Sequence, residues 1–253
     1  MIQLLASLPS SFSTQLDYVI LLFCVFILAT ILRAIISYKG KASGIVFIYF
    51  FSGTLAFGLI RLLFILVDRR IIPISDSTLM VCWHVIFYYA SYLFLAAVKE
   101  LITLFGGPSK ELSFHKAVVS GLIGLIVTVI VFTFAPLVDP FLTKSLDKSW
   151  IESTGILHFI AFAQAGYIAY YLAKIKYHYK GLIGAIVSPF GSALFLLSLV
   201  HAWELLTESW KVVIVTNTVG ELVERLLWLP AFICIYWVFY KLRFLISGPK
   251  SSK

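Results

Sequence analysis

The chain has 253 residues, of which 61% are hydrophobic and 13% charged, with a formal net charge of +8. A soluble domain carries roughly 25% charged residues, so this chain lacks the charge to cover a water-facing surface of its size, and lipid must be its main solvent. The positive balance belongs to loops between apolar stretches and is read as an orientation signal, not as a nucleic-acid interface.

A membrane span needs about 20 apolar residues to cross a hydrocarbon core of about 30 Å. Taken in chain order, the apolar runs predict spans near 18–38, 44–67, 79–103, 115–138, 154–173, 181–206 and 218–244. They lack the strict alternation of barrel strands, and inside a bilayer the backbone must pair within its own segment, so they are helices. The expected fold is all-α: one transmembrane domain over 1–253, a polytopic seven-transmembrane-helix bundle with short connections. Gly121 and Gly124 on the fourth span, and Gly184, Ser188 and Ser192 on the sixth, give small faces that allow close helix approach. Pro189 and Pro230 are expected to kink the last two spans. Cys24, Cys82 and Cys234 form no Cys-x-x-Cys pair and imply no disulfide framework.

Charge sets the expected orientation. Arg33, Lys39, Lys41, Lys99, Lys110, Lys116, Lys174, Lys176, Lys180, Lys241, Arg243, Lys250 and Lys253 fall on one side of the spans. The other side carries Arg69, Arg70, Lys144, Lys148 and Lys211. Basic residues in short loops stay cytoplasmic, which places the N-terminus outside and the C-terminus in the cytoplasm. The expected location is a multi-pass position in a plasma or bacterial inner membrane, with the lipid bilayer as main partner and other membrane subunits as candidates. All the acids except Glu100 and Glu111 then map to the outer side. Ser149 to Glu152 and Thr218 to Glu221 fit capping boxes, and Glu221 can pair with Arg225 one turn on. Trp83, Trp150, Trp203, Trp210 and Trp228 toward the outer side, with Trp237 toward the inner, read as aromatic-belt anchors.

Ionisable residues inside spans are costly and usually face a protein interior or a water-filled cavity. His84, His158 and His201 lie on three different spans, each about five residues from the outer end and so roughly 8 Å below the surface. Arg61 lies at a similar depth. These histidines are the expected metal ligands, and Arg61, Glu204, Glu224 and Arg225 the expected lining of a ligand pocket. Three imidazoles with a carboxylate suit a transition metal such as Zn²⁺ or copper. Two imidazoles on facing helices could instead bind a b-type haem, with Trp83, Phe87, Tyr88, Phe159 and Phe162 lining its slot. The expected function is an outward-facing polar site for redox or metal-assisted chemistry. The alternatives are a receptor-like sensor with a cofactor-free pocket, or a proton-coupled carrier. No lysine occurs between Leu226 and Tyr240, which excludes a retinal Schiff base there, and no phosphate loop or serine elbow is present.

Overall fold

The computed structural model describes residues 11–37, 42–106, 155–178 and 182–246, with isolated positions between 119 and 140. These form α1 (Ser11–Ser37), α2 (Ala42–Asp68), α3 (Asp76–Gly106), α4 (Ile156–His178), α5 (Leu182–Glu204), a π-helical turn (Leu205–Ser209) and α6 (Asn217–Ile246). All six α-helices are long and apolar enough to cross a membrane. The chain is therefore a multi-pass membrane protein, and the expected seven-helix bundle is corrected to a six-helix bundle among the described residues. The expected span at 115–138 lies almost wholly outside those residues. Gly121, Gly124 and the cap at Ser149 to Glu152 lie outside them as well.

Pairings across the helices give their directions. Asp17, early in α1, meets Arg225, early in α6, and Arg61, late in α2. His84, early in α3, meets His158, at the start of α4. His201 and Glu204 close α5 at the same level. The starts of α1, α3, α4 and α6 and the ends of α2 and α5 thus share one end of the bundle. The two termini of the described bundle lie at opposite ends, and the assignment of either end to the cytoplasm rests on loop charge alone.

The core follows a seven-residue recurrence, two helical turns, which returns a side chain to nearly the same face. Phe50 and Phe57 on α2, Phe87 and Phe94 on α3, and Phe232 and Phe239 on α6 are all buried. Phe50 meets Phe190 of α5 edge-on at 5.3 Å and Phe239 at 5.1 Å, while Phe57 meets Trp228 at 5.5 Å. Each such pair contributes about 0.5–1.5 kcal/mol beyond area burial. Gly53 lets the Phe94 ring lie against α2, because a Cβ there would approach that ring to 2.8 Å.

Several local expectations change. Trp83 and Trp228 are buried in the core and are not belt residues, whereas Trp210 and Trp237 are exposed as anchors should be. Close approach of α4 and α5 uses Gly166, against Ser198, and Gly191, against Leu172. The Gly184, Ser188 and Ser192 face stays partly exposed. The start of α6 is capped by Thr216, whose hydroxyl accepts from the Val219 N–H at 3.4 Å, in place of Thr218. Pro189 and Pro230 both lie inside their helices. The three cysteines are free thiols.

Candidate metal centre

Three helix ends bring four side chains to one point. On α3, His84 occupies the buried face shared with Phe87 and Ser91, since residues three and seven apart lie on one side of a helix. His158 enters from the first turn of α4, and His201 and Glu204, three apart, stand on one face of the last turn of α5. All four are buried. His84 Nε2 lies 3.1 Å from His158 Nδ1. His158 Nδ1 lies 2.9 Å from Glu204 Oε2, and His201 Nδ1 lies 2.7 Å from the same oxygen. One donor atom from each of the four residues falls within 4.8 Å of the others. Nitrogens at about 2.0–2.1 Å from a tetrahedral Zn²⁺ are roughly 3–4 Å apart, so the spacing suits a transition-metal ion.

Hydrogen bonding alone serves this arrangement poorly. His84 Nδ1–H donates to the Met80 carbonyl at 2.8 Å, which leaves Nε2 of the neutral ring as a lone pair. His158 Nδ1 carries at most one hydrogen and faces two acceptors, His84 Nε2 and Glu204 Oε2. Among the described residues His201 Nε2 is buried without a partner, so Nδ1 is that ring's working nitrogen. A cation at the centre satisfies the converging lone pairs together. The Met80 carbonyl then fixes the His84 ring, as a backbone acceptor commonly does behind a ligating histidine. Packing fixes the rest: the Trp83 ring stacks on His201 at 5.6 Å and 26°, and Phe87 meets it edge-on at 4.2 Å.

The α3–α4 seam is tied around this centre. Tyr88 Oη donates to the Leu157 carbonyl at 2.7 Å, and Gln164 Nε2 donates to the Tyr88 carbonyl at 3.1 Å. At Gly155 the backbone is left-handed, φ 58°, and a Cβ would meet Leu205 and, at 2.8 Å, Ser209. That contact seats the start of α4 on the π-turn and sets His158 against Glu204.

Beside the centre lies an ion-pair network. Asp17 accepts from Arg61 Nη1 at 3.3 Å and from Arg225 Nε at 3.1 Å. Arg225 also stands 3.7 Å from Glu221 and 3.8 Å from Glu224. The Arg61 guanidinium lies over the Trp228 ring at 4.0 Å and 5.6 Å from the Trp83 ring. Trp83 and Trp228, 5.0 Å apart, thus lie against Arg61, and Trp83 also stacks on His201.

The expected site residues divide accordingly. His84, His158, His201 and Glu204 converge. Arg61, Glu224 and Arg225 join the neighbouring network, with Glu224 turned toward Arg225 instead of His201. The outward-facing site is corrected, because all four converging side chains are buried within the bundle. A haem between His84 and His158 is corrected as well. Axial nitrogens stand about 4 Å apart across the iron with a macrocycle between them, whereas these are 3.1 Å apart and in direct contact. Phe159 and Phe162, expected to line a slot, are exposed on the outer surface of α4. The redox, sensor and carrier readings depended on an outward-open or haem site and find no support.

Sequence reasoning missed Asp17, because the first span was begun near residue 18 whereas the helix begins at Ser11. Its signal was there: it is the sole charged residue before Arg33. The roles of Met80, Trp83 and Gly155 carry no sequence signal, since each depends on which neighbour packs against it. No family model, curated protein or solved structure matches the chain.

Proposed function

We propose that this chain is a membrane-embedded metal-binding protein. Its resident ion is a divalent transition metal, with Zn²⁺ the best fit, held by His84 Nε2, His158 Nδ1, His201 Nδ1 and Glu204. The observation that carries this reading is the convergence of four donor atoms from α3, α4 and α5 within 4.8 Å, in a buried setting. Three imidazoles and one carboxylate favour zinc-like ions over the all-oxygen sites of calcium or magnesium. Four protein donors leave no open position in a tetrahedral shell, the pattern of a structural site. The ion's role is to lock α3, α4 and α5 together at one end of the bundle. Arg61, Glu224 and Arg225 belong to the adjoining Asp17 network and not to the ligand set.

The test is metal analysis of the full chain purified in mild detergent without chelator, followed by exchange with Co²⁺. One equivalent of metal, and Co²⁺ absorption of tetrahedral intensity, are expected. His158→Ala removes the nitrogen that faces both His84 and Glu204 and should abolish that absorption. A folded wild-type protein that holds no stoichiometric metal and gives no Co²⁺ spectrum would overturn the proposal.

A further inference from the structure

The centre raises the question of how an ion reaches it. Of the four converging side chains, His201 is fully buried and His158 is 5% exposed, while Glu204 is the most open at 9%. Glu204 is followed at once by the π-turn Leu205–Ser209, whose Glu208 is exposed. One flank of that turn is shut: Leu205 and Ser209 pack on Gly155 with no room for a methyl group. The other flank faces α6, where Glu221 is 50% exposed and Glu224 14%. Exposure among these carboxylates therefore falls from Glu208 and Glu221 through Glu224 to Glu204.

These carboxylates are not equivalent. Arg225 holds Glu221 and Glu224 at 3.7 and 3.8 Å and draws them toward Asp17. Glu208 forms no ion pair among the described residues, yet it lies within electrostatic reach of Glu204, His158, Glu221 and Arg225. In both α- and π-helical geometry a residue four positions on returns close to the same face, so Glu208 stands about one turn outward of Glu204. A divalent cation that has lost part of its hydration shell needs an anionic oxygen before its final ligands close around it. An excess of carboxylates over arginines at this end of the bundle also attracts such ions and raises their arrival rate.

We propose that Glu208 is the loading carboxylate of the metal centre. It receives a divalent cation from water at the bundle end and passes it to Glu204, and it is not itself a ligand in the filled site. This inference rests on the metal-centre reading above. It adds a route through the π-turn and a positioning residue outside the ligand set.

The experiment uses the full chain, stripped with chelator in detergent, and Co²⁺ as probe. The rise of the cobalt spectrum is followed by stopped flow in wild type, Glu208→Gln, Glu208→Lys and the control Glu100→Gln. Glu100 lies sixteen residues along α3 from His84, about 24 Å at 1.5 Å per residue. Electrostatic attraction raises on-rates by about 10–10³ in all, so loss of one carboxylate should slow association by about 3–10-fold at low salt. Charge reversal should slow it further. The difference should vanish at about 1 M salt, where the Debye length is about 3 Å, and the final amplitude should match wild type. Equal association rates in wild type and Glu208→Lys at low salt would overturn the loading role. A reduced final amplitude would overturn it too, by making Glu208 a ligand. Failure of the wild type to take up Co²⁺ would instead remove the metal-centre reading, and this inference with it.

Discussion

Asp17→Asn should be among the most destabilising single changes in the bundle. The carboxylate is buried and shared between Arg61 at 3.3 Å and Arg225 at 3.1 Å, which are buried themselves. A pair of unit charges about 4 Å apart attracts by about 4 kcal/mol at an effective dielectric of 20. Moving each ion out of water costs several kcal/mol, so the pair's net worth is small, but removing one partner strands the others and costs about 3–5 kcal/mol. The two arginines do not suffer equally. Arg225 retains Glu221 and Glu224 nearby, whereas Arg61 has no second carboxylate in ion-pair range among the described residues and keeps the rings of Trp228, Phe64 and Trp83. With no second carboxylate at hand the loss falls mainly on Arg61, and the double variant Asp17→Asn with Arg61→Met should regain part of it. At about 2–4 °C per kcal/mol for a chain of this size class, the single variant should melt about 6–20 °C below wild type. Thermal unfolding in one detergent, followed by tryptophan fluorescence, measures this. A single variant melting within about 1 °C of wild type, or a double variant less stable than the single, would refute the reasoning.

The metal itself should stabilise the fold: Zn²⁺ at about 100 times its dissociation constant adds about 2.7 kcal/mol, or about 5–11 °C in melting temperature, and His201→Ala should abolish that increment while the chelator-treated form still folds. Glu204→Gln keeps the shape but removes the anionic donor, so titration should show Zn²⁺ affinity lowered by about 100-fold or more, whereas Glu111→Gln should leave it unchanged; equal affinities would show that Glu204 is not a donor. Gly155→Ala imposes left-handed backbone strain of about 1–2 kcal/mol and overpacking against Leu205 and Ser209 of about 1–3 kcal/mol. It should lower both thermal stability and metal affinity, because His158 lies three residues on; an unperturbed melting curve would contradict the seating of α4 on the π-turn.

Much of this protein is legible in its composition and in the positions of a few residues. Long apolar runs with little charge fix helices in lipid, because no other open structure pairs its own backbone there. Three histidines at one depth on different runs mark the layer of the site, because helical rise converts sequence position into depth. Tertiary structure decided what those residues do at that depth. Rotation of each helix about its axis is set by packing and not by local pattern: it turned His84, His158 and His201 toward one centre with Glu204, took Trp83 and Trp228 into the core, and aimed Glu224 at Arg225. Helix ends were equally hidden. Beginning α1 at Ser11 instead of residue 18 is what carries Asp17 inside, and the π-turn after Glu204, which no residue pattern announces, is what presents Glu208 above the centre. An apolar face tells a helix only that it must be covered; which neighbour covers it, and at what angle, is fixed by the close-packed fit of the helices together.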